Sequence, residues 1–106
     1  MAKYMIQASY TVDGVKGLLA DGGSKRRAAA EELVTSLGGT MEAFYYSFGD
    51  NDAFIIVDVP DNASAAAASL AVTASGAVTA KTTVLLTPEE IDEATRKATK
   101  YTPPGQ

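Results

Sequence analysis

Among the 106 residues there is no cysteine, no histidine and no tryptophan. Without cysteine there are no disulfides, thiolate nucleophiles, iron–sulfur clusters or Cys-bound zinc. Without histidine the chain loses the commonest general base at neutral pH, together with the usual ligand of haem and transition-metal ions. Any chemistry falls to carboxylates, Tyr, Lys, Arg, Ser, Thr and amides, or to a bound group. No cofactor and no metal site is assigned. Basic charge is also scarce: nine Lys and Arg stand against thirteen Asp and Glu, a net charge of −4. That argues against a nucleic-acid binder, which needs a basic footprint to neutralise phosphates. It equally disfavours a basic helix lying on a membrane surface. No apolar run reaches the ~18 residues of a membrane span. Residues 1 to 7 lack the apolar core of a signal peptide and read as the start of a strand, so a cytoplasmic location is the expectation.

What is present is ordinary globular material, 46% hydrophobic and 21% charged, and the length predicts one domain over residues 1–106. Residues 3 to 10 alternate as a strand. A helical stretch follows to Leu37, broken at Gly22-Gly23, with Ser24 as the cap of its second part and Gly38-Gly39 as its end. Residues 40 to 48, rich in aromatics, and residues 52 to 59 form a hairpin about Gly49-Asp50-Asn51. Asn62 caps an Ala-rich helix over 63 to 75, and residues 77 to 86 form a β-branched strand. Thr87-Pro88-Glu89-Glu90 opens a last helix with a cap, a first-turn proline and a capping-box glutamate, running to about Lys100. The order β-α-β-β-α-β plus a terminal helix predicts an α+β, ferredoxin-like antiparallel sheet.

A three-residue turn at 49 to 51 sets Phe48 opposite Asp52, Tyr46 opposite Phe54, Phe44 opposite Ile56 and Glu42 opposite Asp58. Period-two alternation then puts Phe44, Tyr46, Phe48, Phe54 and Ile56 on one face with Glu42 and Asp58. The smaller residues of the other face suit the helices, which leaves the aromatic face uncovered. Five large apolar side chains at ~2 kcal/mol each are costly to leave in water, and such a patch marks an interface. The expected partner is a second copy of the chain, as a homodimer or a larger homo-oligomer; the alternative is that the C-terminal helix covers this face alone.

The opening Tyr4-Met-Ile-Gln-Ala-Ser-Tyr-Thr, then Gly22-Gly-Ser-Lys-Arg-Arg, Leu37-Gly-Gly and Phe44-Tyr-Tyr-Ser-Phe-Gly-Asp-Asn-Asp resemble the GYD-domain family, a bacterial and largely uncharacterised group. Val57-Asp-Val-Pro-Asp, Ala74-Ser-Gly-Ala-Val and Lys81-Thr-Thr-Val-Leu-Leu-Thr-Pro-Glu-Glu extend the resemblance over almost the whole chain. The turn reads Gly49-Asp50-Asn51-Asp52, with Asn where the family name has Tyr. The resemblance implies a dimeric α/β-barrel type of fold and little about activity.

Two functions follow as expectations. One is a ligand-binding or structural oligomer, with an apolar small molecule held in a cavity at the sheet-to-sheet subunit interface by Gln7, Phe44, Tyr46, Phe54 and Lys81. The other is a small cofactor-independent enzyme, monooxygenase- or isomerase-like, acting on such a molecule. In it Asp58 serves as acid and base if burial raises its pKa toward the working pH, and Tyr46 or Gln7 orients the substrate. A further polar segment, Ser24 with Arg26 and Arg27 behind a glycine pair at a helix start, has the composition of an anion site, though not the spacing of a P-loop. It reads equally as a helix start with a solvated basic surface, or one paired to the acidic last helix.

Overall fold

A computed structural model describes residues 2–106. Its order is β1 (Ala2–Tyr10), α1 (Val12–Asp21), α2 (Gly23–Ser36), β2 (Thr40–Tyr46), β3 (Ala53–Val59), α3 (Asn62–Ala74), β4 (Val78–Leu85) and α4 (Pro88–Thr95). The strands form one antiparallel sheet in the order β2-β3-β1-β4, the arrangement of a ferredoxin-like α+β fold. Among the described residues no helix is long and apolar enough to cross a membrane.

Local chemistry explains most boundaries. Thr11 caps α1 by accepting from the Gly14 amide, and its hydroxyl donates to Gly76 O at 2.8 Å, tying the end of β1 to the turn before β4. Gly22, at φ +83°, ends α1 and starts α2 at once, a conformation that favours glycine. Ser24 therefore lies inside α2 and does not cap it. Gly38 ends α2 in the left-handed region, as the glycine pair predicts. Asp61, not Asn62, caps α3: it accepts from the Ser64 amide at 2.8 Å, and that bond holds its carboxyl below the usual range. Thr87 and Glu90 make the full capping box of α4. α4 stops at Thr95, five residues short of the expected end.

The hairpin register differs from the expected one. The Ser47 amide donates to Asp52 O, so the loop is the four residues Phe48 to Asn51 rather than three. Tyr46 consequently faces Ala53, Tyr45 faces Phe54 and Phe44 faces Ile55, and an irregularity between Met41 and Ala43 returns Thr40 to Asp58. One residue of slip sends every side chain to the other face. Phe44 and Tyr46 point toward the helices with Ala53 and Ile55, while Phe54 and Ile56 stay on the uncovered side. Phe48 leaves the strand altogether and stands fully exposed on the loop. The expected cluster of Phe44, Tyr46, Phe48 and Phe54 on one bare face does not form.

The core lies between sheet and helices: Tyr4, Ala8, Ala53, Ile55, Val57 and Val59 from the strands, with Val34 from α2 and Ala65 from α3. The C-terminal segment takes no part in it. Every residue from Pro88 to Gln106 is exposed, so α4 does not cover the open face of the sheet. The radius of gyration is 17.0 Å, against about 13 Å for a compact chain of ~100 residues.

Candidate functional site

The helices α2 and α3 stand over the sheet without closing on each other. α2 packs on β2 and α3 on β4 and β3, and between them runs a trough of about 140 Å³. Its floor is Ile6, Ala8, Ala53 and Ile55, from the two central strands. Ala29, Ala30 and Leu33 of α2 form one wall, Ala68 and Val72 of α3 the other. The alanines make the space: at each, a side chain that ends at Cβ leaves room a leucine would fill. Phe44 closes the β2 side, edge-on to Tyr46 with ring centroids 5.0 Å apart.

Apart from Ser69 on α3, the polar groups lining the trough are Tyr10 and Arg26. Alternation along β1 puts Tyr10 on the same face as Tyr4, Ile6 and Ala8. Burial, and then the neighbouring Tyr46 hydroxyl, push the Tyr10 phenol up to about 12. Tyr46 in turn donates to Gly23 O at 3.0 Å, and its ring passes so close to Gly23 that a Cβ there would lie 3.0 Å from it. The second glycine of the pair thus lets β2 latch the first turn of α2, and with it Arg26, beside Tyr10.

The other predicted site residues fall elsewhere. Gln7, Phe54 and Lys81 do meet, in one row across three strands, but on the open face away from the trough. On that face Lys3 donates to Asp58 Oδ2 at 3.2 Å and also to Glu42, and the two carboxylates, Glu42 foremost, hold its ammonium above the ordinary range. Asp58 has its cationic partner there and lies across the sheet from any molecule in the trough. The anion site expected at Ser24, Arg26 and Arg27 is also divided. Asp21 lies 3.6 Å from Lys25 and 3.9 Å from Arg26, Arg26 turns to the trough, and Ser24 and Arg27 face solvent.

The family model of the GYD domain matches residues 4–95. The chain belongs to the GYD-domain family. The match runs from the first strand to the last residue of α4, so it includes every element that builds the trough. No curated protein and no solved structure matches the chain. The site of this GYD domain is therefore read from its own geometry. Of the aromatic residues expected at a cavity on the open face, Phe44 lines the trough on the helix side instead, and Tyr46 packs behind it. The alanine walls were not singled out; Tyr10 takes its side from the even-number parity of β1.

Proposed function

We propose that this GYD domain is a self-associating binding protein that holds a small apolar molecule in the trough between α2 and α3. The trough itself carries the reading: a cavity of about 140 Å³, walled by apolar side chains, with its polar groups few and grouped. Filling a space of that size with apolar atoms would gain dispersion contacts for its lining. A single larger residue in place of Ala29, Ala30 or Ala68 would recover part of that, so the open space has the character of a binding site rather than a defect.

Self-association is supported by the outer face of the sheet. Met5, Phe54 and Ile56 sit there side by side on the two central strands β1 and β3, with Tyr45 of β2 beyond them at 72% exposure. The exposed Leu86, Ile91 and Tyr101 of the projecting C-terminal segment add apolar surface that the single chain leaves in water.

Two measurements test the two halves. In sedimentation velocity at micromolar concentration the wild type is expected to run as a dimer or larger, and Ile56→Lys as a monomer; a monomeric wild type sinks the association. In thermal melts with saturating toluene, a ligand at 100 times its Kd adds ~2.7 kcal/mol, worth several degrees in a domain of this size. No shift with toluene or related small apolar probes sinks the trough as a site.

A further inference from the structure

The chemistry of the occupant can be narrowed further, on the reading of the trough given above. At about 140 Å³ the space is close to the ~150 Å³ of an engineered apolar cavity that takes up benzene. One six-membered ring fills it and a second does not fit. Apart from Ser69, the floor and walls offer such a ring alkyl side chains and the Phe44 ring.

Arg26 supplies the second requirement. It lies in the first turn of α2 and lines the trough. Its ion pair among the described residues is with Asp21, and at 3.9 Å from Nη1 to Oδ2 it is a loose one; the other oxygen of Asp21 lies 3.6 Å from Lys25. A guanidinium has five N–H donors in a fork that matches a carboxylate, and a contact at that distance leaves them free to bond. The charged groups around this end are Asp21, Lys25 and Asp52, whose carboxylate is committed to the Tyr10 amide at 2.7 Å. Tyr10 stays neutral at physiological pH, so the phenol adds no negative charge against an incoming anion.

We propose that the trough binds a monocyclic carboxylate, with its ring between α2 and α3 and its carboxylate on the Arg26 guanidinium. The ring drives entry by desolvation, and the charge-assisted hydrogen bonds fix orientation and select acids over neutral analogues.

The probes are benzoate, benzyl alcohol and toluene, titrated into the full chain at pH 7 with NMR detection. Benzoate is expected to bind at least tenfold more tightly than benzyl alcohol, moving the methyl signals of Leu33, Val72 and Val78. Arg26→Met, which keeps the apolar stem, is expected to erase that difference while leaving toluene binding unchanged. Equal affinity for benzoate and benzyl alcohol overturns the proposal, as does benzoate binding that Arg26→Met leaves intact or that moves only signals elsewhere. Toluene binding without a preference for benzoate would leave the trough standing as a site and remove only the carboxylate. If none of the three binds, the trough reading falls as well. Should Arg26→Met fail to fold, the wild-type comparison of benzoate with benzyl alcohol decides alone.

Discussion

The two faces of the sheet are made from alternate residues of the same four strands, yet they solve different problems. Toward the helices stand Tyr4, Ala8, Ala53, Ile55, Val57 and Val59, none more than 9% exposed. On the opposite face Met5, Gln7, Phe54, Ile56 and Asp58 are only half-buried, screened by neighbours but covered by no element. The first face is stabilised within the chain, where packing is dense and single methylenes count. The second leaves apolar surface that no element of the chain covers, interrupted by the Lys3 cluster with Glu42 and Asp58. Small residues also mean different things on the two sides. Toward the helices Ala29, Ala30 and Ala68 leave the trough open between α2 and α3, while on the open face Ala43 stands half-buried beside Ile56.

The largest effect is expected where the closed face has no room. A Cβ on Gly39 would lie 2.4 Å from Asp58 O and 2.7 Å from the Val59 side chain; one on Gly14 would lie 2.0 Å from Ala77 O. Backbone cannot yield that far, so Gly39→Ala or Gly14→Ala is expected to cost about 3 kcal/mol or more, read as a fall in the urea midpoint. Next comes a pair of adjacent residues, one on each face. Ile55→Ala is expected to cost ~2–5 kcal/mol through the cavity it leaves. Ile56→Ala should cost less than about 1 kcal/mol in dilute solution, with the loss growing with protein concentration as association contributes. Equal costs at every concentration would show that the open face is closed within the chain.

A smaller effect separates the faces by pH. On the closed side the fold raises the Tyr10 pKa from 10.0 to about 12, so folding favours the protonated phenol. Its contribution is complete below pH 10 and is lost between pH 10 and 12, as the unfolded chain ionises first. Tyr10→Phe should remove that slope, and the latest tyrosinate step in an absorbance titration with it. On the open side Lys3 is raised above 10.5 by Glu42 and Asp58. Here folding favours the charged form, so the stabilisation is present below pH 10.5 and disappears as pH climbs through the folded value; Lys3→Met should abolish it without touching the tyrosinate step. The smallest effect belongs to neither face. Thr87→Ala removes the cap of α4 and is expected to lower far-UV helicity while the urea midpoint in dilute solution stays put, because no residue of α4 is buried within the chain. A midpoint shift would mean that α4 packs on the body or on a second copy.

The element order, the break at Gly22-Gly23, the left-handed end at Gly38 and the capping box at Thr87 were legible in the sequence because each depends on residues within a few positions of one another. The Phe44 and Tyr46 contribution to a site was legible by residue type, but not by side. Which face they occupy turns on whether the loop before Asp52 holds three residues or four. Asp52 settles that from a distance: its amide donates to Ala8 O and its carboxylate accepts from the Tyr10 amide. Those contacts draw it into line with β1 and leave Phe48 to Asn51 as the loop.

By itself, then, the sequence determined which segments are strands and helices, since hydrophobic period and capping are local, while several ends, that of α4 at Thr95 and that of β2 at Tyr46 among them, fell short of the expected residues. The parity of the hairpin, the separation of α2 from α3 and the meeting of Tyr10, Tyr46 and Arg26 were decided only by tertiary structure. Each joins residues tens of positions apart, and in a strand of period two a single residue of register exchanges inside for outside.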